Sequence, residues 1–155
     1  MKELKAKLVL RDADFLRRLM LYSLVGASGV VVNEISFSIL QKFSPLITAS
    51  IIAVELSILW NFALNDAVTF RDRKSQPVHV RLAKFHGAAL LGSVVQILTT
   101  GILIAYYKGE PLGLVQTFAS VPGLSYATAA ELNLPGILLG FVVRFTLSYS
   151  WVWRS

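Results

Sequence analysis

The chain has 155 residues, 55% hydrophobic and only 15% charged, with a mean hydropathy of +0.62. Those values lie outside the range of ordinary soluble domains. A net charge of +6 would suggest nucleic acid in a soluble protein, but the basic residues collect at the ends of apolar runs, so no nucleic-acid partner is expected. The absence of cysteine removes disulfides, thiol catalysis and Cys-ligated metal; two histidines lend little support to any other metal site, and no cofactor is expected.

Residues Lys2–Arg18 are charged and carry Leu4, Leu8 and Phe15 at helical spacing. The segment reads either as a short amphipathic interfacial helix or as a basic tail that only signals topology. It is no cleavable signal peptide, because the apolar run that follows is too long and begins too late. Four runs then approach the ~20 residues needed to cross ~30 Å of hydrocarbon. They predict spans near 19–41, 46–66, 84–107 and 135–153. The turn Lys42–Pro45 is short enough to force the first two spans into an antiparallel hairpin. Arg71–Arg81, charged and containing Pro77, reads as a surface loop. The stretch 112–130 is uncharged but broken by Pro122-Gly123 and diluted by Ser, Thr and Gln, so it reads as a re-entrant or membrane-hugging excursion.

Six basic residues precede the first span (Lys2, Lys5, Lys7, Arg11, Arg17, Arg18). Five more lie between the second and third, including Arg71, Arg81 and Lys84, and Arg154 follows the fourth. The opposite loops hold only Lys42 and Lys108. The positive-inside rule then places both termini and the central loop in the cytoplasm of a multi-pass protein of the cell membrane. The same rim, Arg18, Arg71, Arg81 and Lys84 above all, is expected to recruit anionic headgroups.

The second half rewrites the first. Arg18-Leu19-x-x-Tyr22 through Gly29 and Asn33 returns 63 residues later as Arg81-Leu82-x-x-Phe85 through Gly92 and Gln96. Asn61-Phe62-x-Leu64 through Phe70-Arg71 returns 83 residues later as Arg144-Phe145-x-Leu147 through Trp153-Arg154. The expected fold is an all-α membrane protein: one domain, 1–155, of four transmembrane helices built from two duplicated hairpins in parallel orientation, about 15–71 and 80–154. Gly136-x-x-x-Gly140 supplies a flat face, for packing inside the bundle or for a dimer contact.

Charges inside the spans cost several kcal/mol each, so each needs a partner or a purpose. By helical rise, Glu34 and Glu55 lie roughly 24 Å from the basic edge and Arg144 about 15 Å. Arg144 either pairs with one of these acids to hold the bundle or serves a polar path. Two acids against one base leave a carboxylate over. Asn61 and Asn65 share a helix face. His86 reads as an interfacial hydrogen-bonder or a titrating group. Trp60, Phe70, Trp151 and Trp153 suit an interfacial belt.

The series Arg18-Leu19-x-x-Tyr22-x-x-Val25-Gly26-x-x-Gly29-x-x-x-Asn33, then Trp60-Asn61-Phe62-x-Leu64-Asn65-x-x-x-Thr69-Phe70-Arg71, then Trp151-Val152-Trp153-Arg154 resembles the GtrA-like family of small four-span membrane proteins. The chain departs from that pattern at Asp66-Ala67-Val68 and at Arg144. The resemblance implies translocation of a polyprenyl-phosphate-linked sugar for surface glycan synthesis, with the bilayer, that lipid, a polyprenyl-phosphate glycosyltransferase and a second copy of the chain as partners. The expected path residues are Arg144, Asn33, Glu34, Glu55, Asn61, Asn65 and Gln96. A glycosyltransferase anchor or scaffold is the alternative, and a proton-coupled exporter of small cations a further one. No nucleophile–base set, metal motif or phosphate-cradling loop supports an enzyme.

Overall fold

The computed structural model of the protein describes residues 2–109 and 125–154. Among them every regular element is helical: α1 (Lys2–Leu40), α2 (Leu46–Leu64), α3 (Val78–Tyr107) and α4 (Tyr126–Leu147). A π turn extends α2 over Asn65–Thr69, and another extends α4 over Ser148–Val152. Among the described residues, four helical stretches are long and apolar enough to cross a membrane: Asp12–Leu40, Leu46–Thr69, Val78–Tyr107 and Ala130–Val152. Large apolar side chains such as Met20, Leu24, Val31, Ile51 and Leu138 stay exposed, as a chain solvated by lipid allows.

Three boundaries differ from the sequence expectation, one of them the start of the fourth span, expected near 135 and found at Ala130 on a helix that begins at Tyr126. Lys2–Arg18 is neither a separate interfacial helix nor a tail; α1 runs through it without a break. Residues 2–25 contain no Gly or Pro, so nothing stops the helix where the charge begins. The loop after α2 is shorter than Arg71–Arg81, because the Pro77 carbonyl accepts from the amides of Val80 and Arg81 and starts α3 there. Arg81 therefore lies in the first turn of a helix. The excursion expected over 112–130 lies largely outside the described residues; its last five belong to α4, which begins on the Ser125 cap, whose hydroxyl accepts from the Thr128 amide.

The chain forms two compact units, Met1–Leu82 with Trp153–Ser155, and Ala83–Val152. In the first, α1 packs along α2, burying the stripe Arg18, Tyr22, Val25 and Gly29 at the four–three–four spacing of one helix face. The same stripe recurs on α3 63 residues later, at Arg81, Phe85, Ala88 and Gly92. On α2 and its π turn Ala53, Phe62, Asn65 and Thr69 are buried; 83 residues later so are Gly136, Phe145, Ser148 and Val152. The two π turns also stand 83 residues apart, and each follows a shared amide: Asn65 donates to the Asn61 and Phe62 carbonyls, Ser148 to those of Arg144 and Phe145.

Glycines set the closest helix approaches. A Cβ on Gly29 would overlap the Asn61 amide. In the second unit a Cβ on Gly92 would overlap the Arg144 side chain and lie 2.7 Å from the Gly140 carbonyl, and one on Gly136 would lie 2.7 Å from the Gln96 carbonyl. The Gly136/Gly140 face is thus taken up by α3 within the chain. Thr100 Oγ1 donates to Asn133 Oδ1 at 2.9 Å across the same pair of helices.

Candidate functional site

The first unit concentrates its polar side chains where α2 ends. The Asp66 carboxylate accepts from Arg81 Nε at 2.7 Å and Nη2 at 3.0 Å, and from the Trp153 indole N–H at 2.9 Å; Lys74 Nζ lies 3.2 Å away. Arg81 also donates to the Gln76 carbonyl. Arg18 makes a second clamp. Its guanidinium reaches Asp72 with two bonds of 2.7 and 3.0 Å, Asp14 at 2.8 Å and the Thr69 carbonyl at 2.8 Å. A bidentate fork plus a helix-end carbonyl is the geometry guanidinium fits and ammonium does not. The Arg18 bond holds the exposed Asp72 carboxyl down to about 2, with burial opposing weakly.

Between the clamps lies an aromatic stack. Trp153 is fully buried, 4.5 Å from the Phe70 ring at an interplanar angle of 10° and 5.8 Å from Phe62 at 21°. Phe70 meets Tyr22 edge-on at 6.4 Å and carries Arg18 over its face at 5.7 Å. Phe70 and Trp153 are therefore core residues, where the sequence suggested an interfacial belt; Trp60 and Trp151 are the exposed pair. Trp60 Nε1 donates to Ser28, and Lys84 lies over Trp151 at 5.4 Å.

Three buried oxygens on α2 and its π turn have no hydrogen-bond partner among the described residues: Asn61 Oδ1, Asn65 Oδ1 and Thr69 Oγ1. The Asn65 Nδ2 group donates to the Asn61 carbonyl at 2.8 Å, so its oxygen is the free end. Each such group costs about 1–3 kcal/mol when no donor reaches it.

In the second unit Arg144 is half-buried and donates Nη2 to Gln96 Oε1 at 3.3 Å, its stem lying in the gap left by Gly92 and Gly140. Of the remaining expected path residues, Asn33 is half-buried on α1, while Glu34 and Glu55 are exposed on α1 and α2. The structure thus brings together Asn61 with Asn65 in one unit and Arg144 with Gln96 in the other. Of the expected headgroup recruiters, Arg18 and Arg81 are buried and ion-paired, Arg71 is exposed, and Lys84 is half-buried with Nζ 3.4 Å from the Trp151 carbonyl. Asp66, Asp72, Thr69 and Trp153 were absent from the expected site. The available signal was two aspartates close to arginines that repeat at a fixed offset.

Four membrane-length helices with buried arginine clamps and polar side chains inside their spans define a multi-pass helical membrane protein. The family described as GtrA/DPMS, transmembrane domain, matches residues 21–153, and the chain belongs to it. It is also 37% identical over 139 residues to a dolichol-phosphate mannosyltransferase of Pyrococcus furiosus, a match covering 89% of this chain and 34% of that protein. The chain spans about a third of the length of that curated relative.

Proposed function

We propose that the protein carries a polyprenyl-phosphate-linked sugar across the cytoplasmic membrane for surface glycan synthesis, with no catalysis of its own. The observation that carries this reading is Arg144: an arginine inside a transmembrane helix, accommodated by two glycines and bonded to the neutral Gln96 amide. An intramembrane arginine is costly and needs a partner or a purpose, and its planar fork suits a phosphate whose prenyl tail remains in lipid. Gln96 positions the guanidinium. Family membership supports the polyprenyl-phosphate context. The basic end, with the α2–α3 loop and Arg154, is the cytoplasmic one on this reading.

Vesicles reconstituted with purified protein and a polyprenyl-phosphate sugar test it. Wild type exposes the lipid to an external glycosidase or periodate, whereas Arg144→Ala does so at least ten times more slowly. Equal rates would remove Arg144 from the mechanism, and no transport by wild type would remove the carrier.

The mannosyltransferase relative, matched over only a third of its length, favours a second reading: an anchor that recruits a polyprenyl-phosphate glycosyltransferase. On that reading charge reversal at Arg71 and Lys74 abolishes co-purification with the enzyme, while Arg144→Ala leaves it intact.

A further inference from the structure

Asn61, Asn65 and Thr69 recur every fourth residue, a row of side chains along α2 and its π turn whose buried oxygens lack a hydrogen-bond partner among the described residues; the Asn61 amide lies against Gly29 of α1. Asn65 is 1% exposed and Thr69 fully buried. With the Asn65 amide nitrogen spent on the Asn61 carbonyl, its free end only accepts. A cation needs several oxygens converging on one point at about 2.4 Å, which such a row cannot offer. An ionised phosphate brings only acceptors and would find a donor at the Thr69 hydroxyl but none at the two amide oxygens. Hydroxyl groups are the chemistry that satisfies the row.

Phe62 lies in the last turn of α2 and Phe70 directly after the π turn, eight residues on. The Trp153 ring stacks on both, near-parallel to each. Trp153 is also the one member of this cluster that comes from a remote segment: only Trp153–Ser155 join Met1–Leu82 from the far end of the chain. Its ties include the two stacks, the bond to Asp66 and, next to it, the Ser75 hydroxyl on the Arg154 carbonyl. Two flat aromatic faces with acceptors alongside form a setting for a sugar ring, whose C–H faces stack on aromatics and whose edge hydroxyls donate. We propose that Phe62, Phe70, Asn61, Asn65 and Thr69 form a sugar-hydroxyl site, and that Trp153 fills it as a plug in the closed state. The choice of a lipid-linked sugar as occupant rests on the carrier reading above; the plug itself does not.

The chain has no cysteine, so single-cysteine reporters are clean. In full-length protein in phosphatidylcholine vesicles, Thr69→Cys is expected to react slowly with a water-soluble maleimide. Adding Trp153→Ala accelerates it at least tenfold, while Trp153→Phe, which keeps a stacking ring, accelerates it less. An Ala88→Cys reporter, buried in the other unit, stays slow. Acceleration at both positions, or at neither, overturns the plug. In the opened variant, geranyl-phosphate mannose, glucose and galactose are then compared with geranyl phosphate. Slowing of the label at least fivefold by a sugar-bearing lipid only is the expected result. Equal protection by the sugar-free lipid overturns the hydroxyl site and leaves the carrier standing. Sugar-specific protection without vesicle transport by wild type upholds the site and removes the carrier.

Discussion

Asp66 holds the first unit together, and its replacement by alanine gives the sharpest stability test. The carboxylate is 14% exposed and takes two bonds from an Arg81 side chain 7% exposed, one from the Trp153 indole, and a 3.2 Å contact from the more exposed Lys74. Removing one partner of a buried ion pair costs about 3–5 kcal/mol. The orphaned indole N–H adds about 1–3 kcal/mol if nothing replaces the acceptor. Lys74, able to turn to solvent, adds about 0–1 kcal/mol. These terms share one site and do not sum, so we expect about 4 kcal/mol for Asp66→Ala. Asp66→Asn, which keeps an acceptor for Trp153, should cost about half as much. The measurement is reversible unfolding in mixed micelles, followed by circular dichroism. A double-mutant cycle with Arg81→Met isolates the pair, and the double variant should be less destabilised than the sum of the singles by about 2 kcal/mol or more. A cost below about 1 kcal/mol, or strict additivity, would refute the buried clamp.

The glycines give an ordered series in the same assay. Gly92→Ala and Gly136→Ala, which meet backbone carbonyls, should destabilise by about 1–3 kcal/mol. Gly29→Ala should cost less and be relieved by Asn61→Ala, since only the Asn61 amide must move. Gly26→Ala, with nothing within 4 Å, should gain up to about 1 kcal/mol from helix propensity. The Asp72 carboxyl is held at about 2 against an ordinary 3.8. Its contribution is therefore complete above pH 3.8 and is lost as pH falls towards 2. The stability gap between wild type and Asp72→Asn should close across that window; a gap constant from pH 5 to 2 would remove the Arg18 contact as its cause. In the transport assay, Arg144→Lys should recover only part of the rate lost by Arg144→Ala, because a point charge cannot reproduce the fork.

The spans were legible because hydropathy reports them directly. The sequence boundaries miss where a charged flank hides a helix that continues, as at Asp12–Arg18, where Pro77 opens a helix instead of sitting in a loop, and at the fourth span, expected from 135, whose helix starts at Tyr126 and carries Pro135 inside it. The clamps were not legible for a specific reason. Arg18 and Arg81 sit at the edge of apolar runs, where positive residues ordinarily face headgroups, and the aspartate that ties Arg18 to the end of α2, Asp72, lies 54 residues away. Trp153 misled in the same way: a tryptophan beside a terminal arginine looks interfacial until Phe62, Phe70 and Asp66 are seen around it. The glycine–Asn61 and glycine–Arg144 contacts occupy positions already paired by the sequence repeat, but only the structure shows that the glycine makes room for the polar side chain.

That Trp153 belongs with the first unit has a consequence for how the protein is made. Leu82 leaves the ribosome about seventy residues before Trp153 does. Through that interval Phe62 and Phe70 lack the ring that lies against both, and Asp66 lacks one of its donors. The first hairpin can enter the membrane early, yet it reaches its final packing only once the far end of the chain has been synthesised. A cut after residue 82 would not yield two self-sufficient halves. Trp153 acts as a keystone, and it makes the completion of the first half depend on the second.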